Sequence, residues 1–293
     1  MTSAASWRTR TAARTAVHTA AVLLTALTVA GLAGTAASAA AVPVVTCPSS
    51  SCTSLVTGLG EPVDAAYDTG DNAYLTYQNG ELRTVNLVTG ARSTVATGLG
   101  NLRGIALDGT GSAYVGDFDG NLREVDLATG QQRLLASGLG ALHAIAHSGT
   151  TIYATGGSGK LYEVKESGTV RVVASGLGLS QGIAVDGRGG AYTADMFTGR
   201  ILRTDLTTGA TRTVATQFYE PTSISVATDG QVYFAVGNEV TRLNPDTGVG
   251  TQIASVRGLN FFAFKLDRNG NAYTTQVTGT GSLWKIANLV PRR

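Results

Sequence analysis

The chain has 293 residues, with 22 Lys and Arg against 20 Asp and Glu, a net charge of +2 and a hydrophobic share of 43%. Charged residues make up only 14% and form no basic stripe, which excludes a nucleic-acid partner. Thirty-eight glycines supply the positive φ angles that tight turns need.

Residues 1–39 read as a cleavable secretory signal. Arg8, Arg10 and Arg14 form a basic start, residues 20–33 are an uncharged apolar run, and Ala37-Ser38-Ala39 is a small-residue cleavage site. The run is about 14 residues, short of the roughly 20 a spanning helix needs, so no membrane span is expected and the protein should be extracellular. The signal holds three of the basic residues and no acidic ones, leaving 19 against 20 in the mature chain. Residues 40–52 form an N-terminal segment containing Cys47 and Cys52. In an exported chain this pair is expected to be a disulfide, a small peripheral loop that stiffens the chain just ahead of residue 53. The spacing offers no second Cys or His pair for zinc.

From residue 53 to 293 the sequence repeats. Tyr74, Tyr114, Tyr153, Tyr192, Tyr233 and Tyr273 recur at separations of 40, 39, 39, 41 and 40 residues. Each copy has a Gly-Leu entry, an alternating run, a Gly-containing turn, a second alternating run and a Thr-Gly turn. In the second copy, residues 103–108, 112–117, 122–127 and 132–136 read as strands. Short alternating segments at a period near 40 predict an all-β, six-bladed β-propeller of four-stranded antiparallel blades. Small residues such as Gly104 and Ala106 suit strands that converge on an axis, and Ile105, Ile145, Ile183 and Ile224 should fill the core between blades. The last copy ends after its third strand at residues 283–289. Residues 53–57 match a fourth strand with no blade of their own, so they are expected to pair with residues 283–287 and close the ring as one domain.

Such a scaffold carries its variable loops on one face. The column opening the first strands reads Val63, Arg103, His143, Gln181, Thr222 and Phe262. The column closing the second strands reads Tyr77, Asp117, Gly156, Asp195, Val236 and Gln276. Both are expected to ring the channel mouth and to bind a ligand through Arg103, Gln181, Thr222, Phe262, Tyr77 and Gln276.

Several motifs fall to context. Gly178-Leu179-Ser180-Gln181-Gly182 has the spacing of a nucleophile elbow, but a loop enters a strand here where the elbow needs a strand entering a helix. Gly157-Ser158-Gly159-Lys160 reads as a hairpin turn. Asp117-Phe118-Asp119-Gly120-Asn121 lacks the acidic twelfth position of a calcium loop. His143 and His147 stand roughly 13 Å apart on an extended strand and cannot share a metal. His147, in the column of Leu107 and Val185, is expected to be structural.

The fourth copy, with Gly182-Ile183-Ala184-Val185-Asp186, Gly190-Ala191-Tyr192-Thr193-Ala194-Asp195 and Gly199-Arg200-Ile201, resembles an NHL repeat. The resemblance covers residues 53–289 and implies the propeller superfamily that includes gluconolactonase-like lactonases, strictosidine-synthase-like proteins and streptogramin B lyases. His143-Ala144-Ile145 is similar to the lyases' His-Gly-Ile, whose His acts in catalysis. Where the lactonases place metal ligands, this sequence has Glu61 near the first, then Arg103-Gly104, His143-Ala144 and Gln181-Gly182.

The leading expectation is a secreted, monomeric binding module whose partner is a small molecule, a glycan or a protein. A metal-assisted lyase or lactonase is the alternative, with Asp117 and Asp195 holding a divalent cation, Ca or Mg. His143 would then be the general base and Arg103 would stabilise a developing oxyanion. A cell-envelope scaffold without a small-molecule site is the third possibility.

Overall fold

The computed structural model describes residues 45–47, 49–256, 261–276 and 280–290, with the side chains of residues 261 and 262 excepted. The expected signal segment lies outside the described residues. The described chain is all strand and turn, in six sheets. The first blade runs Asp64–Tyr67, Asn72–Thr76, Leu82–Asn86 and Arg92–Ala96. The second runs Leu102–Leu107, Ser112–Asp117, Leu122–Asp126 and Gln132–Ala136, within a residue of the sequence expectation at each end. The next three blades open at Leu142–Ser148, Ser180–Val185 and Pro221–Val226. The sixth consists of Phe261–Leu266, Ala272–Gln276 and Ser282–Ile286, completed by Cys52–Thr57.

The first strand of each blade packs against the first strand of the next, and the sixth returns to the first. Room is scarce there. A Cβ on Gly104 would lie 2.9 Å from Ala144 Cα, well inside van der Waals contact, which is why this column is small. The alternate isoleucines fill the space between sheets as expected, and the most open of the four, Ile183, is 4% exposed. Burial of each is worth about 1.5–3 kcal/mol.

Closure uses the expected pairing. Cys52–Thr57 lies antiparallel to Ser282–Ile286, with Thr53 opposite Lys285 and Val56 opposite Leu283. The N-terminal segment also supplies what a blade-to-blade linker supplies elsewhere. Leu99, Leu139 and Leu177 each donate a backbone N–H to the turn glycine of the preceding blade, Gly80, Gly120 and Gly159, at 2.9–3.1 Å. Leu59 makes the same bond to Gly281 at 3.2 Å.

One strand was not foreseen. Val45–Cys47 pairs in parallel with Gly250–Val256, so the fifth blade gains a fifth strand. Cys47 and Cys52 are joined in a disulfide that links this strand to the closing strand of the sixth blade. The bridge is therefore not peripheral. Cys47 is 1% exposed and packs with Val240, Ile253 and Val256. The sequence-based expectation failed here because three residues carry too short a pattern to read as a strand.

The linker from blade four to blade five departs from the Gly-Leu-Gly form. Gln217 stands where the other linkers have Gly98 or Gly176, and at the same left-handed φ, +72° against +71° and +77°. A side chain there costs roughly 1–2 kcal/mol. Gln217→Gly is accordingly expected to raise stability by about 1 kcal/mol, measured by denaturant unfolding. No gain in the midpoint would show that the glutamine has compensating contacts.

Candidate functional site

The axis of the ring opens into a small cavity lined by Asp64, Arg103, His143, Gln181, Ser223 and Lys265, together with Val63. Arg103, His143, Gln181 and Ser223 stand at a repeated irregularity, whereas Asp64 and Lys265 lie in regular pairing. In the third blade Leu142 pairs with Gly156 and Ala144 with Thr155, leaving His143 as an extra residue. In the fourth, Ser180 pairs with Asp195 and Gly182 with Ala194, leaving Gln181. Arg103 with Gly104, Thr222 with Ser223, and Phe262 with Ala263 occupy the corresponding shifts of blades two, five and six. A β-bulge turns a side chain away from its regular face and is common beside functional sites. The variable column of the sequence is thus the bulge column in blades two to six. In blade five the cavity wall is Ser223 rather than Thr222, and the Phe262 side chain lies outside the described residues.

The site is mixed in charge. Asp64 lines it, 9% exposed, accepting from Ala65 N at 2.8 Å and Ile105 N at 3.2 Å. Lys265 Nζ stands 3.7 Å from its carboxylate. Burial raises the Asp64 pKa, and Lys265 with the two amides only partly offsets it. The Arg103 guanidinium lies 5.2 Å from the Phe118 ring centre. Its Nε is buried without a hydrogen-bond partner, and burial lowers its pKa. His143 meets Phe118 edge-on at 6.1 Å. Burial and then the Arg103 charge lower the His143 pKa, against a hydrogen bond to Gln181 that raises it. His143 is therefore a neutral imidazole at neutral pH.

The second column behaves differently: none of its residues lines the cavity. Tyr77 is 7% exposed; its hydroxyl donates to the Leu59 carbonyl at 2.8 Å and Arg83 covers its ring at 4.3 Å. Asp117, 1% exposed, accepts from Asn121 N and Nδ2, both at 2.8 Å, and from Arg123 Nη1 at 2.7 Å. Arg123 also donates to the Leu99 carbonyl at 3.2 Å. Asp195 is fully buried, paired with Arg200 at 2.8 Å and bonded to the Thr198 hydroxyl. Gln276 accepts from Ser282 Oγ at 2.6 Å within its own blade. These residues tie the mouth's rim to the linkers, and the acids' oxygens are occupied. The metal role expected of Asp117 and Asp195 is not supported: among the described residues no three His, Cys, Asp or Glu side chains cluster as a metal set.

Three contributors escaped sequence reasoning. Asp64 and Lys265 sit in columns that are small residues in most other copies, and that break in the pattern was the available signal. Phe118, 47% exposed, was read only as part of a turn. Among the weaker motifs, Ser180 is fully buried on a strand and donates to the Leu177 carbonyl. His147 packs on Tyr114 at 5.0 Å and lies 3.6 Å from Glu166, a structural place as expected. A second hollow of about 290 Å³ lies beside the Gln217 linker, between Phe197 and Tyr219, each 77% exposed.

Six meanders closed around an axis define a six-bladed β-propeller. Solved structures similar to this chain include a chain of the nidogen/laminin complex, at 19% identity and TM-score 0.61 over 70% of this chain and 85% of that one. Virginiamycin B lyase from Staphylococcus aureus is similar at 12% identity and TM-score 0.61, over 83% and 89%. A luciferin-regenerating enzyme is similar at 11% identity and TM-score 0.66, over 78% and 93%. At these identities the likeness is one of fold, shared by binding proteins and enzymes alike. No protein-family model and no curated protein matches the sequence.

Proposed function

We propose that the protein is an exported binding module that takes a small ligand at the mouth of the propeller channel, with Arg103, His143, Gln181 and Phe118 as its contacts. The observation that carries this reading is Arg103. A guanidinium whose Nε is buried and without a partner is costly to keep, and a group supplied from outside the chain removes that cost. Export is supported by the basic and apolar start of the sequence and by the Cys47–Cys52 bridge. Among the described residues no helix is long and apolar enough to cross a membrane.

A small-molecule and glycan binding screen, repeated on the Arg103→Ala variant, tests the reading. Hits that bind the variant as well as the wild type would place the site elsewhere.

The enzyme alternative rests on one favourable feature, the neutral His143 held by Gln181 at a cavity. If the protein is a lyase or lactonase, His143→Ala is expected to lower turnover by roughly 10²-fold or more with little change in melting temperature. In a binder the same change alters affinity modestly. Unchanged turnover of a substrate that the wild type demonstrably consumes would eliminate His143 as the base.

A further inference from the structure

The charges around the channel mouth do not balance. Among the described residues Arg83, Arg123, Arg133, Arg171, Arg200 and Arg203 each stand against a carboxylate, Arg92 is taken by the carbonyls of Thr57 and Gly58 and Arg212 by that of Pro245, while Arg188 and Arg268 are exposed. Arg103 has neither, although it is half-buried. The one acid lining its cavity, Asp64, is already held by Lys265 and two backbone amides. One acid therefore faces two permanent cations, and His143 is neutral. The excess positive charge sits on a planar fork that matches an oxyanion bidentately.

Size and polarity narrow the ligand further. The cavity holds about 20 Å³, the scale of a single water, so only a small head group enters and the rest of a ligand must lie outside. A flat carboxylate can place an oxygen there, whereas a tetrahedral phosphate is bulkier than a space of this size. Phe118 does not line the cavity itself but stands half-exposed beside both Arg103 and His143, a surface for an apolar body.

Building on the binding-module reading, we infer that the ligand is a carboxylate with an apolar, aromatic or alkyl body. Its oxygens meet the Arg103 guanidinium, and its body rests on Phe118. Gln181 fixes the His143 imidazole, which borders the head group.

Calorimetric titration of the full mature protein with phenylacetate, phenylacetamide, phenyl phosphate and acetate tests this. Phenylacetate is expected to bind roughly tenfold or more tightly than phenylacetamide, the difference one charge-assisted hydrogen bond makes. Arg103→Gln should erase that preference by weakening phenylacetate far more than phenylacetamide. Phe118→Ala should weaken phenylacetate but not acetate. Equal binding of acid and amide, both weakened by Phe118→Ala, would overturn the carboxylate assignment and leave the mouth as a binding site. Tighter binding of phenyl phosphate would overturn the choice of head group. A preference that survives Arg103→Gln, or no binding of any acid at millimolar concentration, would overturn the inference outright.

Discussion

A chain lacking residues 40–57 is expected to lose its cooperative melting transition and to aggregate. The deletion removes Cys52–Thr57 from the outer edge of the sixth blade, which exposes the unpaired backbone groups of Ser282–Ile286. It also strips buried Val56 and Cys47 from two blade cores. A bare strand edge beside apolar surface is a template for pairing with another chain. Size-exclusion chromatography and a thermal melt measure the outcome, and a compact variant melting near the wild-type temperature would show that closure does not depend on this strand. Cys47→Ser is the graded counterpart. It keeps both strands and loses the bridge, so it should cost about 2 kcal/mol, the chain-entropy value for a loop this short, and still fold.

Asp195→Ala is expected to destabilise the protein by about 2 kcal/mol, without changing its divalent-cation content. The carboxylate is fully buried and accepts from Arg200 and Thr198, so truncation strands a guanidinium that is one-third exposed and can partly rehydrate. The same pairing sets a pH dependence. Burial alone would raise the Asp195 pKa, but bonds from Thr198 and Arg200 outweigh it and hold the carboxyl below 3.8. Asp117 is held below 3.8 in the same way, by Asn121 and Arg123. A carboxyl depressed in the folded state stabilises the fold above its unfolded pKa and loses that contribution as pH falls through the folded value. Wild-type stability should therefore drop below about pH 4, and less steeply in Asp195→Ala. A melting temperature lowered by chelator and restored by magnesium or calcium would refute this structural assignment.

The fold was legible because each blade states its pattern again, and six weak signals at one period add up where any single one is ambiguous. The tyrosine spacing, the converging small residues and the orphan fourth strand were enough to place closure. The site was legible only in part. Variability singled out Arg103, His143 and Gln181, which line one cavity, yet the bulge at which they stand depends on strand register, which a sequence column does not encode. The second column failed for the same reason. Tyr77, Asp117 and Asp195 are as varied as ligand contacts, but their partners Arg83, Arg123 and Arg200 come from the next strand of the same blade. Asp64 and Lys265 meet only because the ring brings the first and sixth blades together.

The parallel strand at Val45–Cys47 bears on how the ring assembles. Its partner, Gly250–Val256, and the partner of the strand after it, Ser282–Ile286, lie more than two hundred residues downstream. A chain that emerges N-terminus first therefore carries its lock long before the blades that accept it exist. Contacts of such sequence separation form late, because their loop-closure entropy is met only when the intervening structure is in place. The two cysteines are near neighbours and can join early, which would present the pair of strands as one preformed hairpin-like clip. Completion of the ring then becomes the final, slowest event, and the interval before it is when the protein is most open to partners that recognise unfinished sheets.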